Sequence, residues 1–451
     1  MILCYYLSLD MVAIYYVAIT GILILLFCDD LTPFFTTLLF INVVVSFKNS
    51  PSSHSGASDY YFQPYISCQV ITLITLLVGF GAMRILKSFR HKKFKPTPVF
   101  WGLCALSAVF VLNGLFSEGY TVMNFVYGLF LTAIYLGIFM LIKENVKMDK
   151  ETFKNVAINF FAFSILLVAE LVIAYVTYDG LIVDGQIHRE ILKFGWGVYN
   201  TMGMLLLVCV PAAIYLATVC KRGWLFTLYS LVLVLACVLS LSRQAMLGIV
   251  IIYPLSLILL FKKSPHKLIN ACIIIGAAVA AIAVLALNWN GFIFTLSRIF
   301  DDLFVNGEFY AGDRMGLTQA ALMDFANAPI FGVGFYGASL GGTTLINASG
   351  LDIIPLLYHN TFLQMLGSCG LIGLVVYVVH RMQTIISFFK NVNAERSYVA
   401  IAILSLLILS MLDVHMFDIL PIFMYSSLLA LMVATEKKKT EKVKRLFIIK
   451  V

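Results

Sequence analysis

The stretch that decides the fold is residues 268–287, which read LINACIIIGAAVAAIAVLAL. This segment contains no charged side chain. A helix of this length rises roughly 30 Å, which matches the hydrocarbon thickness of a bilayer. The sequence therefore predicts that this segment crosses a membrane as an α-helix.

Runs of this kind recur along the whole chain. Of its 451 residues, 61% are hydrophobic and only 12% are charged. A soluble protein does not have this composition, so we predict an all-α, polytopic integral membrane protein. Its thirteen predicted spans are residues 3–27, 31–47, 65–83, 98–116, 125–142, 156–177, 196–218, 224–241, 245–261, 268–287, 360–379, 398–414 and 418–434.

The Lys and Arg residues predict the orientation of these spans. One set of connections carries 25 of the 31 Lys and Arg residues, and the other set carries six. Cytoplasmic loops are enriched in these residues, so the first set is predicted to be cytoplasmic. The net charge of +8 then indicates topology and contact with anionic lipids rather than a nucleic-acid partner. Thirteen crossings place the N-terminus outside, whereas twelve, with the first two spans forming one re-entrant unit, place both ends inside; the sequence leaves both open.

One connection is much longer than the others. We predict a single transmembrane domain over residues 1–451, with a large extracytoplasmic loop at residues 288–358 and a basic cytoplasmic tail at residues 435–451. Loops of this length are usually functional or disordered, and the many aromatic residues of this one argue against disorder. Within the loop, a helix is predicted from Asp313 to Ala328, and Pro329 follows it.

The loop also contains a formal G-x-G-x-x-G pattern. Residues 332–337 read Gly-Val-Gly-Phe-Tyr-Gly, and Asp352 lies twenty residues after Gly332. A dinucleotide-binding loop requires this pattern between a strand and a helix. Here the pattern follows a helical segment, so we interpret it as a glycine-rich turn.

Two arginines of the loop are candidates for binding an anion. The loop holds six acidic residues against only Arg298 and Arg314, so neither arginine belongs to a basic cluster. Arg314 stands at the start of the predicted helix, where its guanidinium and free backbone N–H groups could bind a phosphate together. An ion pair with Asp313 or Asp301 is the alternative.

Arg243 is a third candidate. It lies in the short turn Leu241-Ser242-Arg243-Gln244-Ala245 between two spans, so its guanidinium must lie at the external surface of the membrane that these spans cross. A charge at that depth is costly unless it is paired. Ordinary snorkelling of the side chain to the interface is the alternative.

His359 and Asn360 lie where the long loop re-enters the membrane. A histidine at a helix end is often only an interfacial hydrogen-bonding residue, but this one shares its predicted membrane face with Arg243 and Arg314. A neutral imidazole there can accept a proton from a hydroxyl. Three glycines follow at intervals of three, and we expect them to let this helix pack closely against its neighbours; they are Gly367, Gly370 and Gly373.

Four further polar residues could orient the histidine or receive a substrate hydroxyl. Hydrogen bonding between helices explains them equally well. They are Glu170, Asp413, His415 and Asp418. The nine cysteines show no metal-ligand spacing and are interpreted as small packing residues, and no metal or cofactor is predicted.

Four pieces of sequence resemble the O-antigen polymerase and ligase family. They fall within roughly residues 225–380 and are Ser242-Arg243, Gly312-Asp313-Arg314, Ala328 to Gly334, and His359-Asn360 leading into Gly370-Leu371-Ile372-Gly373. The resemblance implies an all-helical membrane glycosyltransferase that acts on polyprenyl-diphosphate-linked oligosaccharides. It also implies a location in the bacterial cytoplasmic membrane, with the site facing outside.

The resemblance further implies residue roles. The family's arginines correspond to Arg243 and Arg314, which would stabilise the leaving diphosphate. Beyond the resemblance, we expect Arg298 and Asn360 to assist substrate binding. His359 corresponds to the family's histidine and would act as the base. Inversion at the anomeric carbon, without a metal or other cofactor, is the implied outcome. The chain departs from the family pattern in having an acid, Asp313, directly before Arg314.

The favoured function is polymerisation of lipid-linked repeat units into a surface polysaccharide, such as O-antigen or capsule. A ligase that transfers the glycan to a lipid core or a protein would use the same residues. A flippase or transporter is an alternative of another class, although the sequence shows no internal repeat. The implied partners are the lipid-linked oligosaccharides, membrane lipids, a flippase and a chain-length regulator; no nucleic acid is expected.

Overall fold

The computed structural model describes residues 10–28, 30–32, 68–91, 96–117, 122–177, 181–183, 186–187, 192–194, 197–287, 304–305, 308–309, 313–335, 358–390, 392–417 and 419–435. Helices dominate these ranges, so the predicted all-α fold is confirmed. Only short antiparallel pairs interrupt them: β1 (Ile182–Val183) with β2 (Gln186–Ile187), β3 (Lys193–Phe194) with β4 (Gly197–Val198), and β5 (Phe304–Val305) with β6 (Glu308–Phe309).

The described helices follow the predicted spans closely. In chain order they are α1 (Asp10–Phe27), α2 (Cys68–His91), α3 (Pro98–Phe116), α4 (Val122–Thr132), a π-helix (Ala133–Ile138), α5 (Phe139–Asn145), α6 (Lys150–Thr177), α7 (Tyr199–Val219), α8 (Trp224–Leu239), α9 (Arg243–Lys263), α10 (Lys267–Leu287), α11 (Asp313–Asn327), α12 (Thr361–Phe388), α13 (Ala394–Ser410), a 3₁₀ turn (His415–Phe417) and α14 (Ile419–Ala434). Every predicted span except 31–47 overlaps at least one of them. That span lies outside the described residues from Pro33 onward.

Several of these helices have the length and composition of membrane spans. Within the described chain, six segments of 18 or more residues are apolar enough to cross a bilayer: Asn124–Asn145, Lys150–Thr177, Tyr199–Val219, Arg243–Lys263, Lys267–Val284 and Thr361–Phe388. Shorter apolar helices occur at Ala18–Phe27, Pro98–Asn113, Trp224–Leu239 and Leu420–Ala434. The protein is therefore a polytopic helical membrane protein, whereas the number of twelve or thirteen spans stays a prediction.

Helix α7 lies at the centre of the bundle. It is apolar on every side. Of an 18-residue apolar stretch in this helix, 94% of the residues are buried, and the helix packs against α6, α8, α9 and α13. A helix that is hydrophobic all round must be surrounded by other helices or by lipid. Helix α10 is an example of a helix that lipid must surround, because only 6% of its apolar stretch Lys267–Val284 is buried within the protein. Helix α7 is therefore in contact with four neighbouring helices.

Short polar side chains fix where the helices begin. Thr97 caps α3, with Pro98 in the first turn, and Ser242 caps α9 by accepting the N–H of Ala245. Asn360 caps α12 by accepting the N–H groups of Phe362 and Leu363. These side chains satisfy backbone donors that the helix itself leaves unpaired. The capping of α9 and α12 sets the positions of two candidate residues, Arg243 and His359.

Helix α12, which corresponds to the predicted span 360–379, is broken at Gly370. Gly370 has φ 64° and ψ −164°, a conformation that other residues avoid. The break frees backbone groups on both sides, and the segment after α11 satisfies them. The N–H groups of Val333 and Gly334 each donate to α12 over 3.0 Å, to the carbonyls of Gly367 and Ser368 respectively.

The contact between this segment and α12 is very close. The N–H of Leu371 donates to Pro329 over 2.9 Å, and Asn113 of α3 donates to the carbonyls of Phe331 and Ser368. A Cβ atom at Gly332 would lie less than 3.0 Å from the backbone of Ser368. The glycines at 332 and 334 are therefore part of a turn, as predicted, and this turn docks on α12.

Candidate active site

The backbone of His359 adopts a left-handed conformation, with φ 50°. This conformation costs a non-glycine residue about 1–3 kcal/mol, and it persists only where the surroundings enforce it. On one side, Tyr358 is buried and its N–H donates to Gln364 over 3.0 Å. On the other side, Asn360 caps α12 and donates from Nδ2 to the carbonyl of Met411 over 2.8 Å. Both neighbours of His359 are thus held by hydrogen bonds, and the backbone conformation of His359 sets the direction of its side chain.

The imidazole of His359 pairs with the carboxylate of Asp413. The distance from His359 Nδ1 to Asp413 Oδ1 is 2.9 Å, and the N–H of Val414 also donates to Oδ1 over 2.9 Å. The side chain of His359 is 44% exposed, whereas that of Asp413 is only 10% exposed. The pair therefore has a buried acid behind an accessible base.

The surroundings keep Asp413 ionised. Burial raises the pKa of this carboxyl, but the hydrogen bond from His359, the charges of His415 and His359 and the N–H of Val414 together bring the pKa well below its usual range. An ionised carboxylate only accepts hydrogen bonds, so Nδ1 of His359 must donate. In a neutral imidazole, Nε2 then carries the lone pair. The arrangement can accept a proton at Nε2 and stabilise the resulting cation.

The second carboxylate oxygen of Asp413 connects to the turn that holds Arg243. Gln244 Nε2 donates to Asp413 Oδ2 over 3.1 Å, and Asn200 Nδ2 approaches the same oxygen at 3.4 Å. The hydroxyl of Ser242 donates to Asn200 Oδ1 over 3.1 Å. The residues on both sides of Arg243 are therefore hydrogen-bonded into the network around His359.

Arg243 itself is the first residue of α9 and is half-buried. The turn before it is tight, because Leu241 has φ 57°. Gly203 of α7 faces this turn so closely that a Cβ atom there would lie 2.7 Å from the Cβ atoms of Ser242 and Ala245. The position of Arg243 at a helix N-terminus adds the partial positive charge of the helix to that of the guanidinium.

The long loop docks on the same end of the bundle through α11. Tyr358 Oη donates to Asp324 Oδ2 over 2.6 Å, and both residues are buried. A small apolar cluster surrounds this bond, consisting of Ala320, Ala321, Ala328, Val333 and Tyr358. Arg314 lies ten residues before Asp324, or ~15 Å along the helix axis. The structure describes the helix at Arg314 but not its side chain, and Arg298 lies outside the described residues.

The remaining candidates fall into three groups. His415 joins the network, because its Nε2 lies 3.2 Å from Gln244 Oε1. Glu170 is buried in α6 but makes no hydrogen bond to the network residues described above. Asp418 lies outside the described residues. Asp413 is thus the candidate that orients the histidine.

Sequence reasoning missed four residues of this site: Asn200, Gln244, Asp324 and Tyr358. Each is an ordinary polar residue whose partner is far away in the chain. The one usable signal was the position of Gln244 and Tyr358 beside Arg243 and His359.

In the described ranges no three His, Cys, Asp or Glu side chains are grouped to hold a metal ion. The seven cysteines whose side chains the structure describes are free thiols, and all of them except Cys272 are buried or half-buried.

Comparison with known families identifies the region that contains most of this site. Residues 228–378 match a family model described as O-antigen ligase. No curated protein matches the sequence. The matched region runs from α8 into α12, so it contains Arg243, α11 and His359. Asn200 and Asp413 lie before and after it, yet both contact residues within it.

Proposed function

We propose that this chain, which belongs to the O-antigen polymerase and ligase family, transfers a glycan from a polyprenyl diphosphate to the hydroxyl of an acceptor sugar. The observation that carries the proposal is the His359–Asp413 pair, which Gln244 connects to the turn that holds Arg243. Transfer from a sugar diphosphate requires a base for the acceptor and a cation for the leaving group. Here the base and the turn that carries a cation belong to one hydrogen-bonded network.

His359 is the proposed base. As the acceptor oxygen forms its bond to the anomeric carbon, the hydroxyl proton passes to Nε2 of His359. Asp413 holds the ring in the required tautomer and stabilises the imidazolium that forms. A positioned base of this kind contributes about 10²- to 10⁴-fold in rate. The exposure of His359 supports this role, because an acceptor can reach Nε2 from solvent.

Arg243 and Arg314 are the proposed partners of the leaving group. As the anomeric carbon–oxygen bond breaks, its electron pair remains on the diphosphate, so negative charge grows there. Planar guanidinium groups bind phosphate oxygens in pairs of hydrogen bonds, and they act most strongly where the charge develops. Arg243 is the first residue of α9 and Arg314 is the second residue of α11, so both lie where a helix leaves N–H groups free to bind an anion. We assign supporting contacts with the substrate to Arg298 and Asn360.

A single base with the leaving group on the opposite side implies attack from one face. We therefore propose inversion of the anomeric centre, with the arginines neutralising the diphosphate. The network lies at the bundle end where α12 begins, and we propose that this end faces outside the bacterial cytoplasmic membrane. The loop at residues 288–358 would then cover the site, and the tail at residues 435–451 would be cytoplasmic.

Polymerisation of repeat units is the specific reaction that we propose, with transfer to a lipid core or a protein as the alternative. The test supplies purified protein with lipid-diphosphate-linked repeat units and separates the glycans by size. A ladder of longer lipid-linked glycans supports polymerisation, and transfer only to a different added acceptor supports a ligase. No transfer by the wild type, or unchanged transfer by His359→Ala, contradicts the proposal, as does movement of the intact lipid across a vesicle membrane without any new bond.

A further inference from the structure

Gln244 is buried between the turn that carries the proposed cation, Arg243, and the turn at residues 412–415, which carries the partner of the proposed base. It follows Arg243 in the first turn of α9 and is 3% exposed. Its side-chain nitrogen donates to the carbonyl of Leu412 over 3.2 Å and to Asp413 Oδ2 over 3.1 Å. Its side-chain oxygen lies 3.2 Å from Nε2 of His415. Both donors and the acceptor of this amide are therefore engaged by the turn at residues 412–415.

The chemistry of the neighbours fixes the orientation of this amide. Two acceptor oxygens face one end, and only an NH₂ group can donate to both. The other end must then be the carbonyl, which requires His415 to donate from Nε2. A carboxylate in place of the amide would face Asp413 oxygen to oxygen, and an aliphatic side chain would leave Oδ2 with the longer contact to Asn200.

We propose that Gln244 is a positioning residue that couples the Arg243 turn to the His359–Asp413 pair, so that base and cation hold one fixed relative geometry. This inference rests on the function proposed above. Gln244 does not contact the substrate; it acts through Asp413 on one side and through its own backbone next to Arg243 on the other. The hydrogen bond to Asp413 fixes the rotation of the carboxylate, and the carboxylate fixes the imidazole.

The charged groups around Asp413 come from three elements. His359 precedes α12, His415 belongs to the 3₁₀ turn, and Arg243 begins α9 beside Gln244. Asn200 of α7 is neutral. A negative charge introduced at position 244 would therefore lie beside Asp413 and stabilise the protonated form of its partner imidazole.

The kinetic test compares the wild type with Gln244→Leu. Misplacement of a catalytic group by about 1 Å can cost on the order of 10²-fold, so we expect kcat to fall about 10- to 100-fold while KM changes little. Ser256→Ala is the matched control, because Ser256 is buried in the same helix and bonds only the carbonyl of its own helix at Ile252. An unchanged kcat in Gln244→Leu, or a loss that Ser256→Ala shares, overturns the inference.

A second test needs no substrate. Diethyl pyrocarbonate modifies unprotonated imidazole, and peptide mapping follows the exposed His359 alone as pH varies. In Gln244→Glu we expect the midpoint of this modification to move to higher pH, together with the acid limb of kcat/KM. A midpoint equal to that of the wild type shows that position 244 does not act on His359.

The two tests separate the two proposals. If the wild type transfers no glycan but the modification midpoint moves in Gln244→Glu, the positioning role stands and the proposed function fails. If the wild type is active and His359→Ala is not, while Gln244→Leu has a normal kcat, only the positioning role fails.

Discussion

Tyr358 donates a 2.6 Å hydrogen bond to Asp324, which joins the residue before His359 to the last turn of α11. Burial raises the pKa of Tyr358, and the hydrogen bond to Asp324 and the charge of that residue raise it further. The phenol therefore keeps its proton at alkaline pH. The bond lies in a buried apolar cluster and connects α11 of the long loop to the residue that precedes the proposed catalytic base, His359. The conformation of His359 therefore depends on the docking of α11.

Removing the phenol hydroxyl should loosen both α11 and His359. Tyr358→Phe takes one donor from the buried Asp324 carboxylate, which costs about 1–3 kcal/mol. We expect a lower thermal unfolding midpoint and a lower kcat, measured on purified protein in detergent. Asp324→Asn is the matched variant, because its amide carbonyl still accepts from Tyr358. A Tyr358→Phe protein with wild-type stability and activity would show that the bond does not hold His359 in place.

The break in α12 should tolerate no side chain. Gly370→Ala combines a left-handed backbone with a Cβ that would lie less than 3.0 Å from the backbone of Ile330. The conformation alone costs about 1–3 kcal/mol, and the contact adds to it because backbone cannot rotate away. We expect a marked loss of stability and of glycan transfer, measured by thermal unfolding and by the transfer assay.

Gly316→Ala is the control for Gly370→Ala, since nothing lies within 4 Å of a Cβ atom at Gly316 in α11. An alanine in an open helical position should leave stability unchanged or raise it by about 0.5–1 kcal/mol. Equal loss in both variants would contradict the docking of the loop segment at Gly370.

The sequence was sufficient for what depends on local composition. Apolar runs predicted the helices, because a span needs about 20 apolar residues in a row. His359 and Arg243 could be selected because titratable groups are rare next to apolar helices. The helix of the loop was also predictable, since Pro329 limits a periodic segment that the structure ends at Asn327.

The contacts of the site were not predictable in the same way. Gln244 and Asp413 are 169 positions apart, and nothing in either local sequence identifies the other. The glycines at 367, 370 and 373 have a spacing typical of close helix packing. Only the segment at residues 329–334, which donates hydrogen bonds into α12, makes a break at Gly370 favourable.

Asp413→Asn should disable the base without removing it. An amide no longer requires Nδ1 of His359 to donate, so the ring loses its enforced tautomer, and the imidazolium loses its counter-charge. We expect kcat to fall on the order of 10²-fold or more, with KM nearly unchanged. Asn159→Ala is the control, because that half-buried residue bonds only a carbonyl of its own helix. A loss confined to KM would assign Asp413 to substrate binding instead.

The acid stability of the protein should reflect the same carboxyl. The pKa of Asp413 is lower in the folded protein than in the unfolded chain, where it is about 3.9. Its ionised form therefore stabilises the fold above about pH 3.9, and this stabilisation is lost as pH falls through the pKa of the folded protein. The difference in unfolding midpoint between the wild type and Asp413→Asn should therefore persist at pH 5 and shrink below about pH 4. A difference that stays constant down to pH 2 would show that the ionised form contributes nothing.

The turn before Arg243 should respond to a change on a different helix. Gly203→Ala places a Cβ 2.7 Å from the Cβ atoms of Ser242 and Ala245, which cannot rotate away, so the turn must move. Because this turn carries Arg243 and connects through Asn200 to Asp413, we expect both a higher KM for the lipid-diphosphate donor and a lower kcat. Gly276→Ala in α10 is the control, since nothing lies within 4 Å of its Cβ. Normal kinetics in a folded Gly203→Ala protein would mean that the position of the Arg243 turn does not govern transfer.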